Sequence, residues 1–343
     1  MAQLYGRTWG RAELLAHVGD ISQLGGVRLA ELADGPARGV RVADFRSGDG
    51  LNFAVLLDRG MDIGQAEYRG VPLAWNAAVG PVAPAFHDPT GSGFLRTFHG
   101  GLLTTCGLTQ VGVPNVDLGE ELGVHGRISH IPARLRSCND RWDGDNYVFW
   151  VQGQMREASL FGHNLLLTRT ITCRLGEPRL TIEDRVENQG STPAPHMILY
   201  HFNPGFPMLS AQSRLDVAST VQPRDAVAAP GLARHNRFEE PTPGYAEQVF
   251  YHQVAADAEG FAQAALVSPE LGLGLQVRYR QRELPWLVEW KQVGIGAYVL
   301  GIEPGNCVPE GRAAARARGV LVELAPGEAR EYLLEISVLT GVA

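Results

Sequence analysis

The sequence predicts a mainly β fold, a large antiparallel β-sandwich, on three observations. Apolar residues alternate at period two through most of the chain between Val40 and Leu339, the spacing of strands with one buried face. Turn residues punctuate these runs, and the 41 glycines and 21 prolines suit many short strands joined by turns. The strand-like segments follow one another without the intervening helices that a parallel sheet requires.

The elements follow in order. One helix is expected near the start, with Thr8 as its cap, Leu14, Leu15 and Val18 on one face, and Gly19 as its end. Val40 and Val42 precede a Ser47-Gly48-Asp49-Gly50 turn, after which Phe53, Val55 and Leu57 alternate and Met61 and Ile63 continue the run. An Asp-Gly turn between alternating runs marks a hairpin. A second hairpin spans Leu165 to Val186. Leu165, Leu167, Arg169, Ile171 and Cys173 share one face, Gly176-Glu177-Pro178 turns the chain, and Leu180, Ile182, Asp184 and Val186 return. Met197 to Tyr200 leads into His201. Leu287 to Val293 and Tyr298 to Glu303 pair about Gly294-Ile295-Gly296, and Tyr332 to Leu339 closes the chain. Two Gly/Pro-rich stretches, 76–97 and 223–247, read as long loops over one face, and long loops in compact proteins tend to be functional. Strand patterning resumes after each, so residues 1–343 read as a single domain.

Composition narrows the partners. The formal charge is −7, from 37 acidic and 30 basic residues. This argues against nucleic acid or an anionic membrane as partner. No run reaches the roughly 18 apolar residues of a membrane span. Four scattered cysteines form no C-x-x-C pair, and the N-terminus lacks the apolar stretch of a signal peptide, so a cytoplasmic location with reduced thiols is expected. Nucleotide-binding glycine motifs and the G-x-S-x-G of serine hydrolases are missing.

Three short motifs carry the chemistry. Phe98-His99-Gly100-Gly101, Tyr200-His201-Phe202-Asn203-Pro204-Gly205 and Gly301-Ile302-Glu303-Pro304-Gly305-Asn306 set ionisable side chains among turn residues. Two histidines and a carboxylate can move protons on and off a neutral substrate near pH 7. A fourth motif, His125-Gly126-Arg127, divides evenly between substrate contact and loop structure. Arg59 and Asp62 read first as an ion pair at a turn and second as ligand contacts. Trp286 and Trp290 share a strand face, and Trp290 is a candidate platform for a sugar ring. Lys291, on the opposite face, reads as exposed. The other seven histidines, His130, His235 and His252 among them, have no supporting pattern.

The order of these motifs resembles the aldose 1-epimerase (galactose mutarotase-like) family. His99-Gly100-Gly101 is similar to its His-Gly-Gly motif. Asn188-x-Gly190, Pro193, Pro195 and His201-Phe202-Asn203 resemble its central pattern, and Gly301-Ile302-Glu303 resembles its late glutamate motif. The family's Asn-Arg pair near the N-terminus has no counterpart; Asp58-Arg59-Gly60-Met61-Asp62 stands there. The resemblance therefore implies a divergent branch whose sugar need not be galactose.

It also implies roles: Glu303 as base, His201 as acid, and His99 as a donor near the ring oxygen or the C6 hydroxyl. His125, Arg127, Asn203, Arg59 and Trp290 complete the expected sugar contacts. No cofactor is expected, the partner is a small sugar, and the oligomeric state stays open. Two alternatives remain. One is a metal-dependent sugar isomerase or lyase using His99, His125, His201 and Glu303. The other is a non-catalytic sugar-binding protein on the same fold.

Overall fold

The computed structural model describes residues 1–342. Two large antiparallel sheets account for most of the strands. The larger runs in the order Ser219–Pro223, Gln248–Val254, Trp286–Gly294, Ala297–Gly305, Ala194–Phe202, Leu103–Leu108, Asp62–Tyr68, Leu51–Leu56, Arg41–Arg46 and Gly26–Glu31. The smaller runs Arg134–Asp143, Asn146–Ala158, Asn164–Arg174, Arg179–Asn188, Ala329–Thr340, Leu273–Arg280, Phe261–Ser268 and Arg214–Asp216. No helix is long and apolar enough to cross a membrane.

The expected hairpins are present. Arg46 pairs with Asn52 across the Asp-Gly turn, Cys173 with Leu180, and Gly294 with Ala297. Two details differ. The first helix is Arg11–His17 and starts at Gly10, whose N–H bonds the Glu13 carboxylate. Thr8 is instead paired to Gln3 in a small hairpin, too far upstream to reach the helix's free N–H groups, and Leu15 is exposed. The run from Phe53 to Ile63 also breaks. Residues 57–61 turn, Gly60 and Met61 both taking positive φ, and Asp62–Tyr68 folds back on its predecessor with Leu56 opposite Asp62.

One large apolar core is shared by both sheets, with Leu167, Ile171 and Leu334 from the smaller and Ile198, Phe202 and Ile302 from the larger. A buried charge network ties the sheets together. Arg169 and Asp184 oppose each other on neighbouring strands, and the guanidinium donates to both Asp184 oxygens at 2.6–3.2 Å. From the larger sheet, Thr105 accepts from Arg169 at 2.9 Å and the Tyr200 hydroxyl donates to Asp184 at 2.7 Å. Asp62 lies 3.4 Å from Arg169.

The outer face of the larger sheet is also covered. Ala194–Phe202 is buried almost throughout, which is why Met197-Ile198-Leu199-Tyr200 is continuously apolar. Ile198 and Tyr200 face the shared core. Met197 and Leu199 face outward into a smaller cluster with Val111, Val288, Cys307 and Ala315. The short helix Arg312–Ala317 caps that cluster, held by Arg312 and Arg316 on Asp117 at 2.7 and 2.9 Å.

Candidate active site

Strand register places the central pair. Phe202 lies opposite Ile302 and Leu199 opposite Gly305, which sets His201 opposite Glu303 on the outer face. Their side chains meet at 3.1 Å, His201 Nε2 to Glu303 Oε1, with both residues buried. Glu303 is also opposite Val288, and Trp290 lies opposite Gly301 on the next strand. His201, Glu303, Trp290, Val288 and Val249 form the floor of a cavity of about 360 Å³. Segments 92–98 and 112–125, with Arg224, Glu247 and Pro309, form its walls. Trp290 stands edge-on to the His201 ring at 5.4 Å and donates its indole N–H to Glu247 at 2.8 Å.

Gly301 acquires a physical reason. A Cβ there would overlap Glu303 Oε1 and fall 2.9 Å from Trp290 Cβ. Gly301→Ala is therefore expected to fold at a cost of about 1–3 kcal/mol and to lose about 10²-fold in activity through displacement of Glu303. Denaturant unfolding and an anomer-exchange assay on the same sample check both effects, and unchanged activity would mean the carboxylate position is not demanding.

His125 is the second histidine of the cavity. Its backbone is left-handed, φ +58°, a conformation few non-glycine residues adopt and one often found at functional sites. Its Nδ1 accepts from the Gly112 N–H at 3.4 Å, which leaves Nε2 to carry the proton. The rings of His125 and His201 are 6.1 Å apart.

Four expected sugar contacts occupy other positions. His99 is 2% exposed and does not line the cavity. Its motif glycines, both at positive φ, make room for the protein's own backbone. A Cβ on Gly100 would fall 2.6 Å from the Trp75 carbonyl, and one on Gly101 2.5 Å from the Ile63 carbonyl. Arg59 is wholly buried, donates to the carbonyls of Ser129, Val82 and Thr97 at 2.8–2.9 Å, and does not line the cavity, so it braces loops. Asp62 contacts Arg169 in place of the expected Arg59. Asn203 is buried and donates to the His201 carbonyl at 2.8 Å, holding the strand end beneath the site. Arg127 is exposed and outside the cavity.

Other residues went unread. Arg224 and Glu247 line the cavity, and both come from the loop flagged for its length. Lys291 does face away from Trp290, but that face is the interior: it is 1% exposed and its ammonium lies 2.9 Å from Glu239. His130 is buried beside Arg59. Because His99 lies apart, the four-residue metal set does not assemble. Among the described residues the histidines and carboxylates that cluster closely enough for a metal are His235, His252 and Glu289, on the interior side of the sheet.

Burial sets the protonation of the pair. It pushes the Glu303 carboxyl well above its usual range, with Glu247 adding and Arg224 opposing. It lowers His201 to about 3, with His125 adding and the neighbouring Asn203 side chain opposing. Both groups are thereby shifted toward their neutral forms, the state in which the pair holds one proton and Glu303 carries it.

The same burial has a cost in acid. His99, His130, His196 and His201 are all held below the ordinary histidine range, chiefly by desolvation. Below about pH 6.5 the unfolded chain takes up protons that the native state refuses, so stability falls as pH falls. Glu303 and Asp62, raised by burial, the latter to about 6, act in the opposite direction. His87 and His125 are lowered in the same direction, so six groups act against two and a net loss of stability, on the order of a few kcal/mol, is predicted between about pH 6 and 4.5. Denaturant unfolding across that range checks it; constant stability would mean these histidines are not held neutral.

With this geometry in hand, the chain can be compared with known proteins. A family described as a domain of unknown function, DUF4432, matches residues 37–338. The chain belongs to the DUF4432 family. No curated protein matches it. This DUF4432 chain is similar in structure to a Klebsiella pneumoniae protein provisionally named an aldose 1-epimerase, with TM-score 0.87 and 26% identity over 92% of this chain and 83% of the other. A galactose mutarotase-like protein from Clostridium acetobutylicum shares the fold at TM-score 0.65 and 14% identity, covering 93% and 99% of the two chains. An Escherichia coli K12 protein, also provisionally named an aldose 1-epimerase, does so at 0.53 and 16%, covering 92% and 100%. The DUF4432 chain thus has the galactose mutarotase-like sandwich and stands as a divergent branch of it.

Proposed function

We propose that this protein interconverts the anomers of an aldose by acid–base ring opening, with His201 and Glu303 as the proton-transfer pair. The observation that carries the reading is the 3.1 Å contact between these side chains on the floor of a cavity that also presents Trp290 and His125. Ring opening needs one group to take the proton of the anomeric hydroxyl and another to protonate the ring oxygen as the C1–O5 bond breaks. Closure on the other face of the aldehyde reverses both transfers. A pair holding a single proton has one acceptor and one donor, and each contributes roughly 10²–10⁴-fold.

For Glu303 to act as base, the proton must move from Glu303 to His201. A sugar hydroxyl donating to the carboxylate favours that shift, as does the nearby Arg224 charge. After each turnover the direct contact between the two groups returns the proton. Trp290 and the apolar walls suit the C–H face of a pyranose, and His125 Nε2–H can donate to a hydroxyl. The partner is accordingly a small sugar, in keeping with a chain of net charge −7. The four cysteines are free thiols, which suits the reducing conditions of a cytoplasm.

The test is saturation-transfer NMR between α and β signals across a panel of aldoses. Exchange well above the uncatalysed rate is expected for at least one of them. Binding without exchange throughout the panel would reduce the protein to a sugar binder.

A further inference from the structure

On the opposite side of the strand that carries Trp290, three residues converge from three segments of the chain. Glu289 comes from Trp286–Gly294, His252 from the neighbouring strand Gln248–Val254, and His235 from the loop 223–247 that covers them. His235 Nδ1 is 2.8 Å from Glu289 Oε2, and His252 Nε2 is 3.0 Å from the same oxygen. All three donor atoms lie within 4.8 Å of one another.

Hydrogen bonding alone accounts for this arrangement incompletely. Both rings address one carboxylate oxygen, while Oε1 is buried with no partner. Glu289 is 1% exposed, and no lysine or arginine pairs with it among the described residues. The ammonium of Lys291, two residues along, is committed to Glu239 and the Arg237 carbonyl. The Tyr245 hydroxyl, from the same loop, has no partner either. A buried carboxylate without a cation is costly, and two imidazoles with one carboxylate form a donor set suited to zinc.

We propose that His235, His252 and Glu289 form a binding site for a divalent cation of the zinc class. Tetrahedral bonds of about 2.0–2.1 Å set donor atoms roughly 3.4 Å apart, which small side-chain rotations reach from the observed separations. Ser219 Oγ lies 2.8 Å from His252 Nδ1, the outer-shell contact that orients a ligating imidazole. His235 retains 14% side-chain exposure against 0–1% for the other two, so the fourth position opens on its side. The site faces the interior of the sandwich and the candidate active site faces outward, so the cation has no access to the sugar. Its effect is to fasten loop 223–247, which also supplies Arg224 and Glu247 to the cavity wall.

The experiment uses the full chain, free of any affinity tag and stripped with a chelator. Zinc is titrated calorimetrically, and cobalt is added separately as a visible-spectrum reporter. The wild type is expected to bind one equivalent of zinc, to melt at a higher temperature with it, and to show the intense visible bands of tetrahedral cobalt. His235→Ala and Glu289→Gln should each weaken zinc by at least about 100-fold and abolish the cobalt bands, and Ser219→Ala should weaken zinc by about 10-fold. Glu303→Gln should bind zinc as the wild type does, which separates this result from any outcome at the sugar site. Should Glu289→Gln fail to fold, His235→Ala decides, because His235 sits on the covering loop. A wild type that takes up no zinc at micromolar concentration, or a His235→Ala variant that binds it unchanged, overturns the proposal.

Discussion

Glu303→Gln lowers anomer exchange by about 10²–10⁴-fold and leaves sugar affinity within a few-fold of the wild type. The amide keeps the size and planarity of the side chain between Trp290 and Gly301, so the floor of the cavity is unchanged. It cannot hold or release the proton that the pair shares. A neutral carboxyl and an amide also impose similar desolvation, so the buried position tolerates the exchange better than it would a charge reversal. Saturation-transfer NMR on the cognate aldose gives the rate, and calorimetry gives the affinity. Equal rates in variant and wild type would remove Glu303 from the mechanism. A parallel loss of affinity and rate would make it a binding residue instead.

Arg169→Ala destabilises the protein by about 3–5 kcal/mol, the range for breaking a buried ion pair by removing one partner. The guanidinium is wholly buried and donates to both oxygens of Asp184, and Asp62 lies on its other side. Its removal leaves Asp184 without its cation and Asp62 with only the weaker influence of Arg59. Asp62 is already raised to about 6 by burial, and loss of Arg169 removes the charge that most opposes that rise. The measurement is guanidinium unfolding at pH 7, where a loss below about 1 kcal/mol would mean that water reaches the network. Because Tyr200 belongs to this network and precedes His201, exchange activity should fall before global unfolding begins.

Much of this fold is legible in the period-two pattern, because a strand with one face on a core must alternate. The alternation even placed Arg169 and Asp184 on core faces, where a charge needs a partner, and register supplied it. His201 and Glu303 were picked out differently, by their motifs at the ends of strand runs and by the family resemblance; the run from Met197 to Tyr200 is apolar on both faces and could not say which face His201 takes. His99 was misplaced because a His-Gly-Gly turn reads alike whether its glycines admit a ligand or a neighbouring strand. Here Trp75 and Ile63 occupy that space. Lys291 was misread because an alternating pattern states which residues share a face, not which face is solvent. The outer side of this sheet is itself covered, so Trp290 and Lys291 both lie against protein. The cluster of His235, His252 and Glu289 depends on a loop crossing a sheet edge, and loop paths leave no periodicity to read.

The cavity floor belongs to strands whose pairing holds the larger sheet together, whereas most of its walls are loop residues outside that ladder. Exposed wall residues such as Leu95 and Val113 can therefore be substituted, reshaping the opening while His201 and Glu303 keep their register. Over generations, a lineage carrying this scaffold can alter what the opening admits without renegotiating how the chain folds. Gly301 marks the boundary of that freedom, since any side chain there displaces Glu303.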